Sequence, residues 1–439
     1  MARIDQKPSS NTNTSRASSQ VEELMLAALE RGGDSLETGR YLITFKEGAG
    51  EAGMQSLSAQ GMRVADAREF ENQAMTLDDI GDADAVHFPE IGVAFVGGDA
   101  AQQRSMSAQS DIASDSPIES IDPEYFVFAY GASEGSVSEY LRGFLRATET
   151  IARDLRGAGQ ADVDLEEETL VLGDTWGITA CKVPPSLRSG AGIKVAVLDT
   201  GADMGHPDFV GRLIPAQTQT FVGQPVQDLH GHSMHCIGTA CGPKAPAGST
   251  PRYGIAHRAS IFAGKVLSNS GSSVGGSVLN GMNWAIANRC QVIAMFLGSQ
   301  SGVQPAYTAA GQAALNNGLL MIAPAGSAGA SVGAPANSPT IMSVASLDTN
   351  LSPSSFSSFG KIEIAGPGRD VFSSVSMPVR YAVRSGTSTA AAHVAGCAAL
   401  WAETSTSLRG LSLRNKLLAT AKPLPFPATR VGKGLVQAP

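Results

Sequence analysis

Three short segments of this chain hold residue types that can move protons or attack a carbonyl. In VAVLDTG (195–201) a run of apolar and β-branched residues reads as a buried strand that delivers Asp199 at its carboxyl end. In DLHGHSMHCIGTACG (228–242) Gly231 and the small residues after His232 let that imidazole sit at the start of a helix with its ring free. In RSGTSTAAAHVAGCAALWAE (384–403) Ser388 falls where a turn meets an Ala-rich helix, and the free N–H groups there favour developing negative charge. Each segment alone has a second reading. Hydrophobic-Asp-Thr-Gly also opens the active loop of aspartic proteases, which need a second such Asp; no second DTG or DSG occurs. His230, His232, His235 and Cys236 are clustered as metal ligands can be, without a helical i, i+4 pair or a distant acidic ligand. Ser388 alone would be a plain helix N-cap.

The elements around these residues decide how they could meet. From Trp176 onward, short apolar runs such as IKVAVL (193–198) and GLLMIAPA (318–325) alternate with helical stretches at 278–288 and 390–403. That texture predicts a doubly wound, mostly parallel sheet flanked by helices, an α/β domain over 176–439. Residues 1–37 read as a polar tail followed by an amphipathic helix, VEELMLAALER (21–31), stopped by Gly32 and Gly33. Residues 38–130 carry a small α+β pattern: a strand at 41–45, a helix near 50–60, an apolar run at 93–95 and a closing strand at 118–129. Residues 131–175 are a helical linker, with an apolar stripe through Val137, Tyr140, Leu141, Phe144, Leu145, Ile151 and Leu155 in the helix 134–157.

Composition bounds the partners. The chain has 43% hydrophobic residues, 49 glycines and 16% charged residues, which describes a loop-rich globular protein. A net charge of −8 without a basic run argues against nucleic acid. No apolar stretch approaches a membrane span, and the polar start has no secretory h-region. Five cysteines at irregular spacing point to free thiols in a reducing compartment, hence a cytoplasmic location.

Asp, His and Ser in that chain order, each in its local setting, resemble the subtilisin-like serine proteases. VAVLDTGADMGHPDF, HGHSMHCIGT and GTSTAAAHVAG are similar to the three signature blocks of that family. The likeness continues through ASIFAGKVL (259–267), NGMNWAIAN (280–288), FSSFGKIEIAGPG (356–368) and GKGLV (432–436). The resemblance implies a serine endopeptidase in which His232 takes the Ser388 proton, Ser388 attacks a peptide carbonyl and Asp199 orients the imidazole. It also implies an extended peptide or protein substrate adding as a strand between Ser270-Gly271-Ser272 and Phe296-Leu297-Gly298, with Ala325, Gly326 and Gly333 lining an uncharged S1 pocket. No metal or cofactor is implied. The loop GPKAPAGSTPRYG after Cys241 lacks a carbonyl-rich insert, leaving a calcium site unsupported. YLITFKEGAG and IESIDPEYFV resemble the opening and closing strands of a subtilisin propeptide, so 38–130 is expected to act as an intramolecular inhibitor and the chain as a zymogen. Helix 134–157 has no counterpart in simple subtilisins; a spacer and a regulator-docking surface are both open.

The chain also departs from the family pattern. In PAGSAG (324–329) Ser327 stands where subtilisins carry the Asn whose amide donates to the oxyanion, beside the Ser388 N–H. Losing one such donor costs about 10²–10³ in kcat, so a slow protease is expected. In IAMFLGS (293–299) Phe296 replaces a small Ser, which is either a packing change or a side chain narrowing the S1 entrance. HSM (232–234) replaces the usual Gly-Thr after the His, a further packing change. Ser327 and Phe296 together are the case for the alternative, a pseudoprotease or binding module that keeps the fold; retention of all three triad residue types argues against it.

Overall fold

The computed structural model describes Val21, Leu24, Met25, Ala28 and residues 36–70, 83–103, 115–129, 173–248 and 250–439. The helix expected at 134–157 lies outside the described residues. The N-terminal part runs β1 (Glu37–Phe45), α1 (Gly50–Ala59), β2 (Val64–Asp66), β3 (Ala85–Phe88), β4 (Val93–Val96), α2 (Gly98–Gln103) and β5 (Ile118–Ala129). Then follow α3 (Trp176–Ala180), β6 (Lys194–Asp199), β7 (Thr218–Thr220), α4 (His232–Cys241), β8 (Ser260–Lys265), β9 (Ser272–Val274), α5 (Gly275–Ala287), β10 (Val292–Met295) and β11 (Leu297–Gly298). The chain closes with α6 (Pro305–Asn316), β12 (Leu320–Pro324), β13 (Met342–Leu347), β14 (Ile364–Pro367), β15 (Val371–Ser374), β16 (Tyr381–Arg384), α7 (Thr387–Thr404), α8 (Gly410–Thr420) and α9 (Ala428–Val431).

The larger part is built on a seven-stranded sheet in the order β14-β13-β12-β10-β6-β8-β7. Every neighbouring pair in it is parallel. Parallel strands need both faces covered, which is why β6, β10 and β12 read as continuous apolar runs. Their side chains alternate between two core layers. Val195 and Val197 join the layer shared with α4 and α7, while Ala196 and Leu198 join the one shared with α5 and α6. Helix α7 is buried on every side from Thr387 to Leu400, so it is a central helix and not an amphipathic cover. Gly396 lets it lie against α4: a methyl there would sit 2.7 Å from Ile255 Cβ and 2.9 Å from the Ala240 carbonyl.

The N-terminal strands form a second, mostly antiparallel sheet. Strands β4 and β5 flank β1, β3 pairs with β4, and β2 adds to β3 in parallel. One face packs on its own residues, Ile43, Phe45, Leu57, Ala94 and Val96 among them. The other face, with Leu42, Val86, Val93 and Phe95, merges into the layer held by α5 and α6. A buried carboxylate ties the two parts together. Glu124 on β5 accepts hydrogen bonds from Thr38 Oγ1 (2.6 Å), Arg40 Nε (2.6 Å) and the backbone N–H of Gly276 (2.7 Å). Gly276 lies in the first turn of α5, whose own N-cap, Val274, offers no side-chain oxygen; Glu124 supplies the missing acceptor and a favourable charge.

Because Glu124 has no exposed surface, removing its ion-pair partner leaves an uncompensated charge in the interface. Arg40→Ala is therefore expected to lower the unfolding free energy by about 3 kcal/mol, measured by denaturant titration of the full chain. A loss below about 1 kcal/mol, the scale of an ordinary hydrogen bond, would contradict this account.

Candidate active site

Asp199 ends β6 and is fully buried. Its two oxygens lie 2.9 and 2.8 Å from His232 Nδ1, and Oδ1 also accepts the backbone N–H of Thr200 at 2.6 Å. His232 is the first residue of α4 and follows Gly231, whose φ of 78° is left-handed and would strain any other residue. Burial disfavours the imidazolium of His232, but the charge and hydrogen bond of Asp199 outweigh it and hold the ring's pKa above its ordinary value. The pair is thus a base already oriented by its acid.

Ser388 is the second residue of α7 and is almost fully buried. Its Oγ lies 3.4 Å from the carbonyl oxygen of Phe296. Phe296 directly follows β10, the neighbour of β6 in the register Met295 to Leu198, and its N–H donates to the Leu198 carbonyl. The hydroxyl therefore sits at the same carboxyl edge of the sheet as Asp199. That edge is where open parallel sheets place their sites.

A strand of the same chain lies in the adjoining cleft. Strand β5 pairs antiparallel with β9, setting Phe126, Val127 and Phe128 opposite Val274, Ser273 and Ser272. On its other edge it pairs with β11, setting Ala129 opposite Leu297 and Phe128 opposite Gly298. The N–H of Ala129 donates to the Gly271 carbonyl at 2.8 Å. Val127 and Ala129 face the core layer that holds Leu267 and Leu297. Phe126 and Phe128 face the other way and are covered, with Val274, by the helical residues Val21 and Met25. The Phe-rich segment is thus hydrogen-bonded on both edges and capped on its outer face.

A family model described as the Subtilase family, peptidase S8, matches residues 190–434, more than half of the chain. The chain belongs to the subtilase family. The alkaline protease of Alkalihalobacillus alcalophilus is 36% identical over 286 residues, covering 63% of this chain and 71% of that protein. Thermitase of Thermoactinomyces vulgaris is 35% identical over 257 residues, covering 57% of this chain and 89% of its own length. The crystal structure of a cold-adapted subtilisin-like serine proteinase superposes with a TM-score of 0.52 at 28% identity, covering 61% of this chain and 98% of that one. The fold and the relatives make this subtilase a subtilisin-family serine protease.

Within this subtilase the remaining candidate residues fall as follows. Ser270 Oγ bonds Ser268 (2.7 Å) and Ser272 (2.9 Å), stiffening the turn at Gly271, which has a φ of 79°. Ala325 is fully buried in the core and Gly326 turns the chain after it. Gly333 approaches the backbone of Ser299 so closely that a methyl would overlap its carbonyl oxygen. The Ser327 hydroxyl accepts the N–H of Thr387 at 3.1 Å and lies 3.2 Å from Thr387 Oγ1. It thereby takes up one of the orphan donors at the start of α7, whose N-cap, Gly386, has no side chain. Of the two readings of Phe296, the packing change fits its side chain, which is fully buried in the core layer of α4 and α7. The alternation along 295–297 turns residue 296 inward, so its substitution is a packing change.

The clustered histidines separate. His235 Nε2 bonds the Val371 carbonyl at 2.9 Å, and His230 packs edge-on to His232 at 6.0 Å between ring centres. Among the described residues, Asp199, His232 and Cys236 place one donor atom each within 4.8 Å of one another, but His232 Nδ1 is already taken up by Asp199. Two residues outside the sequence reading also belong to the site: Thr387, whose Oγ1 accepts the Gly326 N–H at 3.2 Å, and Asp228, at the head of the turn before His232. Thr387 could have been found from its position next to Ser388; Asp228 looks in sequence like any loop carboxylate.

The low-field NMR resonance of the proton on His232 Nδ1 should titrate with a midpoint above 6.5. Burial pulls His235 down to about 3 and His393 to about 4, so both stay neutral there. Asp199→Asn should bring the His232 midpoint below 6.5, since burial then acts without its counterweight; an unchanged midpoint would contradict the pairing.

Proposed function

We propose that this subtilase is a serine endopeptidase made as a self-inhibited zymogen. The observation that carries the reading is β5, an antiparallel strand of the N-terminal domain inserted between β9 and β11 beside Ser388. Hydrogen bonding on both edges is how an extended peptide adds to a sheet, with backbone bonds giving affinity and pockets giving specificity. Ser388 attacks the peptide carbonyl carbon as His232 Nε2 takes its proton, and Asp199 stabilises the imidazolium formed. The oxyanion is met by the Ser388 N–H, and His232 then returns the proton to the leaving amine. Water resolves the acyl-enzyme by the same route. Side chains and water supply every proton that moves, so no cofactor enters.

Strand β5 pairs Ala129 with Leu297, and the carbonyl of the adjacent Phe296 lies 3.4 Å from Ser388 Oγ, which supports a first cut beyond this strand, between about 130 and 175. The residue before the cut bond is uncharged, as the expected S1 wall of Ala325, Gly326 and Gly333 requires. Residues 38–130 then act as the inhibitor and 176–439 as the protease. Five buried free thiols suit a reducing compartment, and we place the activity in the cytoplasm.

Mass spectrometry of the purified chain should find a new N-terminus between about 130 and 175, absent from Ser388→Ala, and a fluorophosphonate should label the wild type but not that variant. Intact, unlabelled wild type would favour the pseudoprotease. Because the Ser327 hydroxyl is turned to Thr387, the oxyanion lacks a strong side-chain donor, and the protease is slow. Ser327→Asn should raise kcat by about 10-fold or more, given the 10²–10³ attached to such a donor; an equal or lower kcat refutes that explanation of Ser327.

A further inference from the structure

We propose that Asp228 is a positioning residue of the proteolytic site, fixing the turn that carries His232 against the strand end that carries Asp199. The inference rests on the triad reading above and adds a residue to it. Asp228 is fully buried, and its carboxylate accepts four hydrogen bonds. Oδ1 receives Thr200 Oγ1 (2.9 Å), the His230 N–H (3.1 Å) and the Gly231 N–H (2.8 Å); Oδ2 receives the Met234 N–H (2.9 Å). Three of these donors are backbone groups on either side of His232, and the fourth belongs to the residue after Asp199. Thr200 Oγ1 closes the loop by accepting the Ser233 N–H at 3.1 Å. One carboxylate and one hydroxyl therefore set the register between the element that supplies the acid and the element that supplies the base.

The surroundings are arranged to keep this hub in place. Lys265 is buried beneath it, donating to the Thr200 carbonyl and to Asn269 Oδ1, and Ser376 Oγ donates to the Asp228 carbonyl at 2.6 Å. Without the Asp228 carboxylate, the N–H groups of Gly231 and Met234 lose their acceptor in a buried first turn, where α4 has no side-chain cap. The ring is then held by Asp199 alone, on a turn that has lost three of its backbone hydrogen bonds. Displacing a catalytic base by about 1 Å costs on the order of 10²-fold in rate.

The charge of Asp228 gives the test its second readout. The charged and titratable groups that face His232 are Asp199 on β6, Arg384 on β16, Asp228 and His230 before α4, and His235 and the Cys236 thiol on α4 itself. Asp199 and Asp228 favour the imidazolium, and Arg384 opposes it. His232 must be neutral to accept the Ser388 proton, so losing an anion shifts the acid limb of kcat/KM to lower pH.

The experiment compares self-processed wild type, Asp228→Asn, Thr200→Val and Thr200→Ser on one peptide substrate across pH. Asp228→Asn should lower kcat about 10²-fold with KM within about twofold, and move the acid limb downward. Thr200→Val should lower kcat without moving the limb, and Thr200→Ser should restore it. Wild-type kcat in Asp228→Asn, or a lowered kcat with the acid limb unmoved, overturns the assignment. If Asp228→Asn does not fold, the Thr200 pair decides: equal kcat in Thr200→Val and wild type overturns it. A wild type that neither processes nor labels defeats the triad reading instead, so the two failures are told apart.

Discussion

A carboxylate removed entirely from water is the constraint on which the rest of this structure depends. Asp199 has no exposed surface, and isolated burial of such a charge would cost several kcal/mol. It is tolerated because one imidazole nitrogen and one backbone N–H are delivered to it at 2.6–2.9 Å. That delivery requires strand β6 to end at residue 199, a glycine able to turn ahead of His232, and a helix start held against the strand end. The parallel sheet, both core layers and the close contact of α4 with α7 can be read as what keeps those requirements satisfied together.

The same economy governs the cleft. A groove with two open strand edges exposes unpaired backbone donors and acceptors, which are costly when buried and adhesive when bare. Here they are paired by a strand from the N-terminal domain, whose inner residues join the subtilase core and whose outer phenylalanines are covered in turn. Glu124 adds a charge-assisted anchor at the first turn of α5. The N-terminal domain is bound through backbone geometry, an apolar face and one buried carboxylate, three different kinds of interaction that fail under different conditions.

Much of this was legible in the letters. The apolar run 195–198, the Ala-rich stretch around 388 and the Asp-His-Ser order pointed to the sheet, the central helix and the family. The strand at 118–129 was readable from its likeness to the closing strand of a subtilisin propeptide. Strands β2 and β3 were not, because three- and four-residue strands carry too little periodicity to stand out from loop sequence. Phe296 was ambiguous because one residue past a strand end can face either way until the register of its neighbours is known. Asp228 was missed because its importance lies in four donors, three of them backbone groups that no side-chain pattern announces. The stripe of Val21, Leu24, Met25 and Ala28 was visible as amphipathic, but its partner strand lies about a hundred residues further along, beyond the reach of local periodicity.

The position of that covered strand in the chain has a consequence during synthesis. A ribosome adding about 5–20 residues per second completes residue 129, and the helical cover before it, well ahead of residue 388. Ser388 therefore emerges into a molecule whose occupant for the groove already exists, in one-to-one ratio and at the effective concentration of a tethered ligand. On the proposed zymogen reading, holding the protease in check then needs no separate gene product and no timing signal, only the direction of translation.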